Sequence, residues 1–239
     1  MDGFSYSNIF ETKGIEYIAI LVFFAILIPF WIILNRQVKS KKKVQKILGT
    51  LSPGSLRIPQ GLFFSRNHTW AHLLTSGTAR VGLDDLLVHL TGEVKVINHA
   101  KPGETVEKGG LLAEIDHNGK KLSIFSPISG AVKAANELLG AQPEMIHDDP
   151  FRKGWIFEII PSDWVKETKS YYLAGEATDW MAREVIRFKD FIMLSIGKKS
   201  LESSGVILQD GGELRDNTLT EMPEELWQDF QKEFLNSTD

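Results

Sequence analysis

The chain has 239 residues, 43% of them hydrophobic and 24% charged, with a net charge of −4; these values fit a globular protein and exclude a disordered, collagenous or polytopic membrane chain. Cysteine is absent, which removes disulfides, thiolate metal sites, iron–sulfur ligation and thiol nucleophiles together. A slightly acidic balance gives no footing for nucleic acid as a partner.

Residues 1–14 form a short polar tail. From Ile15 to Leu34 the sequence IEYIAILVFFAILIPFWIIL holds only Glu16 and Tyr17 as ionisable groups, and about twenty apolar residues match the roughly 30 Å hydrocarbon core of a bilayer. The pattern predicts one transmembrane helix over 15–35. Pro29 is compatible with such a helix, and Tyr17 and Trp31 lie near its ends as interfacial aromatics do. A secretory signal is disfavoured by the acidic n-region (Asp2, Glu11, Glu16) and by the length of the apolar run. Arg36, Lys39, Lys41, Lys42, Lys43 and Lys46 crowd the following flank. The positive-inside rule then puts the N-terminus outside and the body in the cytoplasm, a single-pass protein of the cell (inner) membrane. Membrane lipid is an expected partner of the basic segment 36–58, at about 1 kcal/mol per base near anionic headgroups.

Within that linker, TLSPGSLRIP denies a continuous helix. Beyond it, FFSRNHTWAHLL, GTARVGL, GEVKVINHA, GLLAEID, LSIFSPI, GAVKAA and WIFEIIP alternate or run apolar for a few residues between turn signals. They predict a small β-sandwich or barrel over 59–164. DDLLVHL reads as a short helix with Asp84 or Asp85 at its start, and ELLGAQPEMI as short helical pieces interrupted by Pro143.

The residues His68-Thr-Trp70, Val81-Gly82-Leu83-Asp84, Leu90-Thr-Gly92-Glu93-Val94, Pro102-Gly103-Glu104, Val106 to Gly109, Ser126-Pro127-Ile-Ser129-Gly130, Asn136, Asp148 to Phe151, and Gly154-Trp155-Ile-Phe157 through Pro161-Ser-Asp163 follow one pattern in order and spacing. In it the chain resembles the H protein of the glycine cleavage system, a lipoyl-carrier family. The resemblance implies a mostly β (α+β) barrel-sandwich hybrid, with flanking short helices, that displays a lysine at a hairpin tip. In the family that lysine carries lipoyl in amide linkage.

The resemblance also locates the attachment position, eight residues before the proline of the following Ser-Pro strand. Counting back from Pro127 gives Gly119. The hairpin Asp116-His117-Asn118-Gly119-Lys120-Lys121 keeps the Asn-Gly pair that signals a type I′ turn, and Asp116 stands where the family usually has an acid. Lys120 lies one position late, and a one-residue slip turns a side chain to another face of the ribbon. Lys120 is therefore the candidate lipoyl attachment, against a reading of Lys120 and Lys121 as solvated strand-end lysines. On the second reading there is no cofactor.

His68 and His72 stand four apart without a third ligand, so no metal site is expected. Ser126, Ser129 and Ser162 lie in turns without a nucleophile elbow, and no catalytic residue emerges; the chain is not expected to be an enzyme. The C-terminal extension, 165–239, is predicted as an amphipathic helix with Trp180, Met181, Val185, Phe188 and Ile192 in one stripe, a hairpin around Asp210-Gly211-Gly212, and a final helix. That last helix has Pro223 in its first turn and Leu226, Trp227, Phe230 and Phe234 on one side, for core packing or docking.

The resulting expectation is a membrane-tethered H-protein-like module that docks or assembles with an unidentified protein partner at the cytoplasmic membrane face and is not lipoylated, since Gly119 holds the attachment position. The alternatives are a lipoyl carrier of glycine cleavage or a related system, modified at Lys120, and a structural subunit of a membrane redox complex.

Overall fold

The computed structural model describes residues 17–30, 50–199 and 214–236. The chain divides into two compact units, Met1–Leu48 and Gly49–Asp239. In the first, helix α1 covers residues 17–30 and its apolar side chains are exposed. Among the described residues no helix is long and apolar enough to cross a membrane, so the transmembrane helix expected over 15–35 is not supported. The remainder of that segment, the N-terminal tail and most of the basic linker lie outside the described residues.

The second unit is mostly β. Strands β1 (Thr50–Leu51), β2 (Phe63–Phe64), β3 (Thr69–Leu73) and β4 (Ala79–Leu83) precede helix α2 (Asp85–Thr91). Then come β5 (Lys95–Asn98), β6 (Thr105–Val106), β7 (Leu111–His117), β8 (Lys120–Phe125) and β9 (Gly130–Ala135), followed by the one-turn helices α3 (Leu138–Ala141) and α4 (Met145–Asp148). Strand β10 (Trp155–Pro161), α5 (Trp164–Thr168), α6 (Ala174–Lys199), β11 (Leu214–Arg215) and α7 (Glu224–Phe230) complete the order. Among the described residues three antiparallel sheets result: β2-β3-β4-β10-β9-β6, β5-β7-β8, and the ribbon β1-β11.

The predicted segments form strands, with burial alternating along β8 while β4 is buried nearly throughout. FFSRNHTWAHLL breaks into β2 and β3 because His68 takes a φ of 56°. Trp70, on β3 between β2 and β4, is fully buried. Its ring lies over Gly82, where a Cβ would sit 2.7 Å from it, and this contact is what requires glycine in the middle of β4. Helix α2 starts as its sequence predicts: Asp84 Oδ1 accepts the Leu87 N–H at 2.8 Å.

The C-terminal extension shares the core of the barrel. The stripe Trp180, Met181, Val185, Phe188 and Ile192 of α6 is buried, and so are Leu226, Trp227, Phe230 and Phe234. Phe188, Phe191, Phe230 and Phe234 form one aromatic cluster with centroids 4.7–6.3 Å apart. Pro223 precedes α7 rather than entering its first turn. The hairpin expected around Asp210 lies largely outside the described residues, and the segment that follows it, β11, pairs with β1.

Candidate functional site

Strands β7 and β8 pair Asp116 with Lys121 and His117 with Lys120, leaving Asn118 and Gly119 as a two-residue loop. Their φ values are 52° and 91°, the left-handed pair that a type I′ turn demands. The Gly119 N–H donates to Asp116 Oδ1 at 3.1 Å, an Asx contact that steadies the turn. At Gly119 a Cβ would meet nothing within 4 Å, so space does not exclude a side chain at the tip; only the backbone conformation opposes one.

The two lysines diverge. Lys121 Nζ lies 3.3 Å from Glu114 Oε2, and its side chain is 51% exposed. Lys120 is half-buried instead, donating to the carbonyl of Thr220 at 2.9 Å and to that of Met222. Its ammonium stands 6.0 Å from the centre of the Trp227 ring. Trp227 also stacks on His117 at 6.1 Å, while the His117 Nδ1–H donates to the Glu93 carbonyl at 2.7 Å. Further along β8, Gln231 binds both backbone groups of Ser123: Oε1 accepts the N–H at 2.7 Å and Nε2 donates to the carbonyl at 3.2 Å. The C-terminal segment thus runs along the outer edge of β8, from the hairpin downward.

Two further polar joints hold this arrangement. His68 is buried, with Nδ1 2.7 Å from Asp84 Oδ2 and Nε2 3.6 Å from Glu184 Oε2 of α6, the latter an ion-pair distance. Burial pushes its pKa down, but Asp84 and Glu184 outweigh burial and hold it up at about 9. Trp180 stacks on the ring at 5.3 Å. His72 has a different partner, the Gly61 carbonyl at 3.2 Å. The second joint is His89. It lies 3.4 Å from Asp85 and 3.0 Å from Asp216, and these carboxylates raise its pKa to about 9 against the opposing effect of burial. Arg57 closes on Asp85 from the other side at 2.7 Å and donates to the His147 and Asp148 carbonyls. The Asp85–His89 spacing of four on a helix was a legible signal for the first contact; Asp216, remote in sequence, was not.

A cleft of about 520 Å³ opens between Arg66, Asn67, Lys108, Ser126, Tyr171 and Asn236. Its lining holds no carboxylate, imidazole or thiol to act as a base.

Comparison with known proteins agrees with this frame. The family model described as glycine cleavage H-protein matches residues 62–184, just over half of the chain. This chain belongs to the glycine cleavage H-protein family. The probable glycine cleavage system H protein of Pyrococcus furiosus is 33% identical over 116 residues, covering 48% of this chain and 86% of that protein. The H protein of Micrococcus luteus is 34% identical over 107 residues, 44% of this chain and 84% of its own length. A crystal structure of the Mycobacterium marinum H protein aligns with a TM-score of 0.41 at 24% identity, over 44% of this chain and 87% of that one. H proteins carry lipoyl on a lysine. Here the hairpin tip is Asn118-Gly119, the Lys120 amine beside it already bonds two carbonyls, and the Lys121 amine is the exposed one of the pair.

Proposed function

We propose that this H-protein module is a non-lipoylated docking or assembly subunit, tethered through its apolar N-terminal segment to the cytoplasmic face of the cell membrane. The observation that carries the reading is the hairpin: its two-residue tip is Asn118-Gly119, on which the family's spacing from Pro127 puts the attachment position, and the neighbouring Lys120 amine serves two carbonyls of the same chain. Its partners are membrane lipid, at the basic segment after the apolar run, and a protein that reads the folded module. Support for the tether is compositional, since a run of some twenty apolar residues needs an apolar surrounding and the side chains of α1 are exposed.

Intact mass of the full-length protein, co-produced with a lipoate ligase in a lipoate-replete host, tests the reading. An unmodified mass beside a fully lipoylated ordinary H protein from the same cells is expected. One added lipoyl group, mapped to Lys120 or Lys121, would overturn it in favour of a carrier, the reading that family membership favours.

A further inference from the structure

Core packing accounts for only part of the C-terminal segment's contacts. Leu226, Trp227, Phe230 and Phe234 are buried in the shared core, and that alone would anchor α7. Yet four polar or aromatic groups of the segment also fall on the hairpin ribbon: the carbonyls of Thr220 and Met222 on Lys120 Nζ, the Trp227 indole over the same ammonium, and the Gln231 amide on Ser123. Strand β8 is the edge of its three-stranded sheet. The outward N–H and C=O of Ser123 would otherwise stand open to an added strand, and a side-chain amide supplies the two bonds such a strand would make.

We propose that residues 214–236 form a lid held in cis over the hairpin, so that closure of the lid and acylation of Lys120, or pairing of a partner strand with β8, exclude one another. The exclusion follows from the groups present. An ammonium brings charge and three donors to the two carbonyls; an amide nitrogen keeps one donor, no charge, and adds a carbonyl oxygen facing two others. The inference rests on the reading that the hairpin is retained without its arm, and it adds the reason that the nearest amine does not serve instead.

Pulse acetylation of the folded full-length chain with an N-hydroxysuccinimide ester tests it, with the neighbouring Lys121 as internal standard. Lys120 is expected to react at least about tenfold more slowly than Lys121, as for a group that reacts only on local opening. Gln231→Ala and Trp227→Ala should narrow that ratio. Equal rates at the two lysines in the native chain would overturn the lid, a result that needs no variant to fold. Equal rates with an unmodified mass in lipoate-replete cells would leave the docking reading intact. Lipoyl mapped to Lys121 beside a protected Lys120 would do the reverse.

Discussion

At His68 the chain places a left-handed backbone, an imidazolium and two carboxylates in one buried contact. Because the ring is held near pKa 9 in the fold against an ordinary 6.5, the stability it contributes is fully present below the ordinary value and is lost as pH rises through about 9. Urea midpoints should therefore fall between pH 7 and 10, and His68→Asn should flatten that fall. The same variant should cost about 3–5 kcal/mol at neutral pH, since it leaves the buried Asp84 without its cation, whereas Glu184 keeps Arg187 at 3.0 Å. Gly82→Ala tests a different residue-scale constraint. A methyl 2.7 Å from the Trp70 ring should lower stability by about 1–3 kcal/mol, read as a shifted denaturation midpoint with an unchanged slope.

At the scale of elements, the lid predicts where protection should lie. With Gln231→Ala the Ser123 amide loses its acceptor and should exchange with deuterium faster, while amides in the centre of β10 keep their protection. Much of this level was legible in the sequence. Alternation marked the longer strands, Asn118-Gly119 marked the turn with its two positive φ values, and the 3.6-residue stripe of α6 named the side chains that are buried. Strand β6 escaped because two residues, Thr105 and Val106, are too few to show a period. The fate of Lys120 escaped for a deeper reason. Its acceptors are backbone carbonyls 100 and 102 residues away, and every residue has a carbonyl, so no side-chain pattern announces the contact. His89 and Asp216, 127 residues apart, were hidden by distance alone.

Across the whole molecule, the division at Leu48 and Gly49 predicts that removing residues 1–48 leaves the β-rich unit folded, with the thermal midpoint of the full chain. If the apolar segment is the tether, full-length protein should sediment with membranes after alkaline carbonate washing and the truncated form should stay in the supernatant; equal partitioning of the two would refute it. At this scale the mostly β H-protein fold was legible from the order and spacing of its motifs, but the place of the C-terminal extension was not. That the C-terminal extension shares the barrel's core rather than standing beside it depends on long-range burial of Trp227, Phe230 and Phe234, which the stripe on α7 permitted without specifying.

The lid also has a place in time. Lys120 leaves the ribosome 100 residues ahead of Thr220, and at about 5–20 residues per second the hairpin has about 5–20 s of exposure before its cover is synthesised. The pairing of Thr50 with Arg215 closes a still longer stretch of chain, and contacts of such sequence separation form late. A nascent H-protein barrel thus presents a bare amine and an open strand edge during its own synthesis, and an enzyme or chaperone that acts on that ribbon meets it then, before the last two dozen residues arrive.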